Sequence, residues 1–361
     1  MQWNDTNRFI SAVTKNFKYK EKLACFDLDS TLIKTKSGKK FSTSSDDWVF
    51  YSDTVVDKLK ELVSKGYCII IITNQAGLKS KKNKPNMKLN SWKSKLDKIV
   101  SKLDIEIALY ASITHDLYRK PLPGFMQIIE EKLSEIDVNK SFYCGDACGR
   151  PDDFSDSDYK FALNTKLRFI TPNELFDNEK VKVPKIEYLA FDLIKNSLNE
   201  KYNFVRKDKE VILMVGMPGS GKSTFVNNVL VPIGYSRINR DALGTVSKCL
   251  KCMEIELKCE KNVVIDNTNS DKETRAKYIK IAKKYKYNIR CIILDVPIEI
   301  AMHNAIFRFF RGDAPYIPEL VYRIYKKNYS RPTVDENIDE IVDIKPKFES
   351  DDSSYMSLFM Y

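Results

Sequence analysis

An α/β chain with two doubly wound parallel-sheet domains is what this 361-residue sequence predicts. Three observations carry that prediction. Apolar runs of strand length alternate with amphipathic stretches of helix length. The alternation happens twice, with a charged, proline-containing stretch from 177 to 209 between the two rounds. Each round opens on a strand followed by a loop rich in groups that handle phosphate.

The elements follow in order. In the first round LACFDLD reads as a strand, TVVDKLKELVSKG as a helix with a glycine stop, and YCIIIIT as a strand. SWKSKLDKIVSKL then reads as a helix, IEIALYASI as a strand, PGFMQIIEEKLSEI as a helix and SFYCGD as a strand. In the second round VILMVG is a strand, a helix follows Lys222, YSRINRD is a strand, and a helix covers 243–260. NVVIDNT, a helix over 271–285 and NIRCIILDV complete the alternation, with helical segments over 297–311 and 317–329. The resulting division is a leader over 1–20, a first domain over 21–176, a connection over 177–205 and a second domain over 206–361. The tail from Glu349 is expected to fray.

Composition narrows the class. Hydrophobic residues make up 43% and charged ones 30%, a balance typical of soluble globular chains. No apolar run approaches the roughly 20 residues that span a bilayer. The mixed, polar N-terminus lacks the layout of a secretory signal, so an intracellular protein is expected, nuclear or cytoplasmic being undecided. The net charge of +11 suits a polyanionic partner such as nucleic acid, although a lysine-rich solvated surface accounts for it equally well. Eight cysteines are scattered, and the one C-x-x-C, Cys249 and Cys252, falls in a stretch with helical spacing. Reduced thiols are expected rather than a zinc or redox site.

FDLDST places Asp27 and Asp29 two residues apart at a strand's C-terminal end, where open parallel sheets bind ligands. Residues i and i+2 share a face of a strand, so both carboxylates can enter one crevice. One can attack phosphorus and the other protonate the leaving oxygen. A carboxylate attacking a phosphate monoester meets charge repulsion, so such a site needs a hard cation such as Mg²⁺ and a fixed positive side chain. Later strand ends offer Thr73 and Asn74 in IITNQ, Lys120 in YRKP and Asp146 in YCGDACGR. A bare D-x-D is more often a solvated turn, as the neighbouring FDLIKN at 191–196 illustrates by lacking the second acid.

The second opening, Gly216-x-x-x-x-Gly221-Lys222-Ser223, follows a strand and begins a helix, the context that makes a P-loop. Backbone N–H groups of Gly216, Gly219, Ser220, Gly221 and Thr224 can close around ATP phosphates, with Lys222 reaching the outer ones and Ser223 ligating Mg²⁺. Asp241 in INRDALG is placed to accept a proton from an attacking hydroxyl, and equally to cap a helix. Arg240 beside it can hold an acceptor phosphate, and Asp266 in VVIDNTN can orient the metal's waters. In HNAIFRFFRG, Arg308 and Arg311 are alternative lid arginines or a solvated helix face.

The ordered set D-x-D-x-T, T-N-Q, R-K-P and G-D resembles the haloacid dehalogenase superfamily of phosphatases. That resemblance implies Asp27 as a nucleophile forming an aspartyl-phosphate and Asp29 as general acid, then base. It implies Thr73, Asn74 and Lys120 around the phosphoryl group, and Mg²⁺ held by Asp27, Asp146 and the carbonyl of Asp29. Ser30 stands where many relatives have glycine, which is tolerable unless positive φ is required. With VGMPGSGKSTF, GYSRINRDALGTVSKC and VVIDNTN, the chain from about Lys22 resembles the polynucleotide kinase 3′-phosphatase family. Its members convert 5′-hydroxyl and 3′-phosphate ends into ligatable ones. The resemblance implies a haloacid dehalogenase-like phosphatase followed by a P-loop kinase, without the forkhead-associated domain of the animal members. DNA ends are the implied partner, with RNA ends open, no membrane, and a monomer expected. Ile306 stands where the family usually has an arginine, so the lid role falls on Arg308. Which of Asp152, Asp153, Asp156 and Asp158 supports the metal is left open. The competing readings are a bifunctional enzyme of nucleosides or sugar phosphates, and an inactive break-binding scaffold.

Overall fold

The computed structural model describes residues 1–361 except 41, 43, 79–86, 186–203, 346–357 and 360–361. Residues 1–186 form one compact unit together with the end of the chain from 357, and residues 187–356 form another. The segment 186–203 of the expected connection, including FDLIKN, lies outside the described residues.

The first unit is built on a seven-stranded sheet. Its strands, numbered in chain order, are β1 (Gln2–Asp5), β2 (Phe9–Val13), β3 (Leu23–Phe26), β6 (Cys68–Asn74), β7 (Ile107–Ser112), β8 (Phe142–Cys144) and β9 (Arg168–Ile170). A small separate hairpin joins β4 (Ile33–Lys34) to β5 (Val49–Phe50). The sheet order is β1-β2-β7-β6-β3-β8-β9, parallel from β7 to β9. The leader over 1–20 is therefore corrected. Its residues 2–13 form an antiparallel hairpin whose second strand pairs with β7, because Ile10 and Ala12 alternate into the core.

Helices cover both faces of this sheet. On one side α1 (Val55–Ser64) and α2 (Met87–Leu103) bury Leu59, Leu62, Trp92, Leu96 and Ile99 against Phe26, Ile69 and Ile71. On the other, α3 (Gly124–Glu130) and α4 (Ser157–Asn164) bury Phe125, Ile129 and Phe161 against Cys25, Ile70, Ile72 and Tyr143. Strands covered on both faces must be apolar throughout, which is why CIIII has no alternation. A short α5 (Pro172–Phe176), capped by the Thr171 side chain, completes the unit.

The second unit carries five parallel strands in the order β11-β12-β10-β13-β14. They are β10 (Glu210–Val215), β11 (Ser236–Asn239), β12 (Val263–Asp266), β13 (Asn288–Leu294) and β14 (Glu340–Ile344). After β10 comes α6 (Lys222–Phe225), which widens into a π turn over Val226–Leu230. Then follow α7 (Arg240–Leu243), α8 (Val246–Lys258), α9 (Lys272–Lys284), α10 (Ile298–Phe310) and α11 (Glu319–Asn328). Met253, Leu257, Tyr278 and Ile279 pack on one face of the sheet, and Val226 and Leu230 on the other. Cys249 and Cys252 both lie on α8.

The fraying tail is corrected where it is described. Phe359 N donates to Asn164 Oδ1 at 2.6 Å, and Asn164 Nδ2 donates back to Phe359 O at 2.6 Å. A buried amide whose oxygen accepts a hydrogen bond from the tail thus holds the tail to the first unit.

Candidate active sites

In the first unit β3 lies between β6 and β8, so three strand ends open on one crevice. Asp27 follows β3, Thr73 and Asn74 end β6, and Asp146 lies two residues beyond β8. Lys120 reaches in from the loop before α3 and is almost wholly buried. Its Nζ donates to Asp27 Oδ1, Asp158 Oδ1 and the Tyr143 hydroxyl, each at 2.6 Å. Carboxylate oxygens of Asp27, Asp146 and Asp158 all come within 4.8 Å of one another.

Three carboxylates facing one ammonium leave excess negative charge in a dry place. Burial pushes Asp27 up to about 8, with Lys120 opposing and Asp158 and Asp146 adding to the rise. Burial, then Asp158, raises Asp146 to about 6. Burial alone would lower Lys120, but Asp158 and Asp27 outweigh it and keep the ammonium charged. An all-oxygen donor set whose ionisation is held back by burial and by mutual repulsion is what a hard cation such as Mg²⁺ fits, because a cation there favours the charged carboxylates.

Of the four aspartates that spacing left open, Asp158 is the one that joins Asp27 and Asp146 in the carboxylate cluster. Its carboxylate meets Lys120 and accepts from Ala147 N at 3.1 Å. A Cβ on Gly145 would collide with that carboxylate, so the glycine of G-D is needed for its approach. Asp153 folds the preceding loop by accepting from Cys148 N and Arg150 N, both at 3.0 Å. Asp156 pairs with Lys160, and Asp152 is exposed. One signal was legible: Phe161 and Ala162 follow Asp158 by three and four residues, on the buried face of a helix.

Asn74 has both ends of its side-chain amide on the Lys120 backbone, accepting from Lys120 N at 3.0 Å and donating to Lys120 O at 3.1 Å. Thr73 is buried and accepts from Gln75 Nε2 at 3.1 Å. That same Gln75 nitrogen donates to Asp29 Oδ2 at 2.7 Å, and buried Lys95 from α2 lies 3.6 Å from Asp29 Oδ1. Gln75 and Lys95 were not anticipated from spacing, because glutamine in a loop and lysine in a helix are ordinarily solvated. Asp29 is exposed, and its carboxylate is not part of the cluster formed by Asp27, Asp146 and Asp158.

The second unit opens on a cleft of about 1470 Å³ at the C-terminal edge of its sheet. The loop after β10 wraps the start of α6, with Gly219 and Gly221 at φ +79° and +90°. A side chain on Gly219 would also strike Ala301 O on α10. Lys222 Nζ donates to Gly216 O at 2.7 Å and Met217 O at 2.8 Å. Burial lowers it to about 8, opposed by Asp266 and Asp241. Ser220 is fully buried, while Gly221, Ser223, Thr224, Arg240, Asp241 and Asp266 line the cleft.

The capping alternative for Asp241 is corrected. Asn239 occupies the cap of α7 and its side chain accepts from Ala242 N at 3.0 Å, leaving Asp241 in the first turn. Asp266 ends β12, and its Oδ2 accepts from Arg237 Nε and Nη2 at 2.9 and 2.6 Å and from Asn239 Nδ2 at 3.2 Å. On α10, Asn304 Nδ2 donates to Gly219 O at 2.9 Å, tying the helix to the phosphate loop. Arg308 lies one turn further along the same face and lines the cleft. Arg311 also lines it but pairs with Asp313 at 3.3 Å.

Fold and sites together define a two-headed phosphate-handling enzyme: an aspartate-based phosphatase and a P-loop kinase on one chain. The comparisons agree on both halves. Residues 22–176 match the family described as polynucleotide kinase 3 phosphatase, and 244–332 match an AAA domain family. The chain is 38% identical over 348 residues to a bifunctional polynucleotide phosphatase/kinase of Schizosaccharomyces pombe, covering 94% of this chain and 84% of that one. It is 34% identical to a putative bifunctional polynucleotide phosphatase/kinase of Acanthamoeba polyphaga mimivirus, covering 100% and 94%. A polynucleotide 3′-phosphatase of Saccharomyces cerevisiae matches 42% of this chain and 85% of its own length at 32% identity. The chain belongs to the bifunctional polynucleotide phosphatase/kinase family.

Proposed function

We propose that this enzyme heals nucleic-acid ends, removing a 3′-phosphate in its first unit and phosphorylating a 5′-hydroxyl with ATP in its second. The observation that carries the reading is that each unit holds its own complete set of phosphate-handling residues at the C-terminal edge of its own sheet.

In the phosphatase, Asp27 attacks phosphorus and forms an acyl-phosphate. Lys120 and Thr73 hold the phosphoryl oxygens, while Asn74 fixes the backbone from which Lys120 reaches. Asp29, oriented by Gln75, protonates the departing 3′-oxygen and then takes a proton from the water that cleaves the intermediate. Asp27, Asp146, Asp158 and the Asp29 carbonyl would hold Mg²⁺, which would supply the charge neutralisation that lets a carboxylate approach a phosphate. In the kinase, the loop from Gly216 to Thr224 cradles the ATP phosphates, Ser223 and Asp266 serve the metal that accompanies them, and Asp241 accepts the proton of the attacking hydroxyl. Arg240 holds the acceptor end. Arg308, which has no carboxylate partner among the described residues, stabilises charge on the transferred group. The +11 charge suits strand ends better than small neutral acceptors.

The test is a nicked duplex bearing 5′-hydroxyl and 3′-phosphate, incubated with ATP and Mg²⁺, with both ends read. Conversion of both ends is expected. Turnover on mononucleotides or sugar phosphates that matches turnover on oligonucleotides would overturn the substrate class.

A further inference from the structure

Lys120 makes three contacts of equal length, and two of them follow from the chemistry of any aspartate-based phosphatase. The third does not. Tyr143 sits in the middle of a three-residue strand, wholly buried, with its ring packed edge-on against Phe161 at 4.9 Å. A phenylalanine would fill that space. The hydroxyl instead emerges under the ammonium and accepts from Lys120 Nζ at 2.6 Å, with its own proton shared between Ile72 O on β6 at 3.0 Å and Asp158 Oδ1 at 3.2 Å. Burial, followed by the Asp158 and Asp27 carboxylates, holds the phenol well above its ordinary pKa, so it remains neutral.

We infer that Tyr143 is a positioning residue for phosphoryl transfer: it anchors Lys120 from beneath, fixing the direction of the ammonium that grips the transferring group. The inference rests on the phosphatase reading of this site. An ammonium has three protons, and all three are engaged here, by Asp27, Asp158 and Tyr143. When a phosphoryl group arrives, Lys120 must redirect one of them. Tyr143 is wholly buried and braced by Ile72 O and Asp158 Oδ1, so its bond to Lys120 persists while a bond to a carboxylate is exchanged for one to phosphate. With one proton fixed from below, the other two keep a set direction. A phenylalanine would free that proton and let the four-carbon stem wander, and it would also leave Ile72 O and Asp158 Oδ1 without this donor.

The test is Tyr143→Phe in the full-length protein with Mg²⁺. The phosphatase kcat should fall on the order of tenfold, the scale of one buried hydrogen bond to a charged group. KM for a 3′-phosphate oligonucleotide should change less than twofold, because the strand is held elsewhere. The inhibition constant for fluoroberyllate, which mimics the phosphoryl group, should rise in parallel with the loss of kcat. Kinase activity should not change. Phe161→Leu is the control for packing, since it disturbs the Tyr143 ring without touching a polar atom; it should lower the melting temperature and leave the fluoroberyllate constant in place. Lys120→Ala sets the reference. If Lys120→Ala retains phosphatase activity, the reading of the whole site fails. If it is inactive while Tyr143→Phe keeps parental kcat and fluoroberyllate affinity, this inference alone fails. A Phe161→Leu protein with the same kinetic losses would also overturn it, by making Tyr143 a packing residue.

Discussion

Ser30 has φ +63° and is exposed, its N–H closing a tight turn onto Ile33 O at 2.7 Å. The position does require the left-handed region, so serine is strained where glycine would not be. A side chain there costs roughly 1–2 kcal/mol, part of which is offset by the freedom that glycine restores to the unfolded chain. Ser30→Gly is expected to raise the melting temperature of the phosphatase unit by about 2–4 °C, as read by calorimetry. Lys222 makes a second prediction at this scale. Burial lowers it to about 8, so at that pH about half the molecules carry it uncharged. ATP phosphates favour the ammonium and raise the pKa again, so nucleotide binding at pH 8 should take up roughly half a proton. Titration calorimetry in buffers of different ionisation enthalpy reads that uptake, which should vanish at pH 6.5, where the lysine is already charged. Equal heats in all buffers at pH 8 would contradict the lowered pKa.

At the scale of elements, α7 separates catalysis from capping. Asn239 caps this helix through Ala242 N, so the Asp241 carboxylate has no capping duty. Asp241→Asn should alter stability by less than about 1 kcal/mol, the loss being one acidic charge near a helix N-terminus. The rate of 5′ phosphorylation should fall roughly 100-fold or more, with ATP affinity and phosphatase activity retained. A near-parental rate would remove Asp241 as the base. Helix α10 shows a related economy, because Asn304 fastens it to Gly219 and Arg308, four residues on, then faces the cleft from the same side.

At the scale of the molecule, the two sets of residues lie in separate compact units. Asp27→Asn should abolish 3′-phosphate removal and leave 5′ phosphorylation, and Lys222→Ala should do the reverse. Loss of both activities from either change in a folded protein would contradict two independent sites. The tail makes a less obvious demand, since Phe359 follows the kinase in sequence yet is held by Asn164 of the phosphatase unit. Asn164 Nδ2 also donates to Pro121 O at 2.8 Å, beside Lys120. Asn164→Ala should therefore destabilise the phosphatase unit by about 1–3 kcal/mol, the scale for leaving buried polar groups unmet, while the kinase unit melts as before.

Local pattern was enough to read the alternating strands and helices, the phosphate loop and the strand-end acids, because backbone periodicity and a loop's need for glycine are written within a few residues of one another. Asp158 was only half legible, since four aspartates stood within seven positions and only packing of Phe161 on the sheet turns one of them inward. The N-terminal hairpin was missed because its partner, β7, lies about a hundred residues away. Tyr143, Gln75 and Lys95 were silent for the same reason: a tyrosine, a glutamine and a lysine acquire a role only from what faces them. Sequence by itself determined the two chemistries, since each depends on residue types at short spacing. Tertiary structure alone decided which side chains converge, because hydrogen bonds and burial act across distances that chain order does not encode.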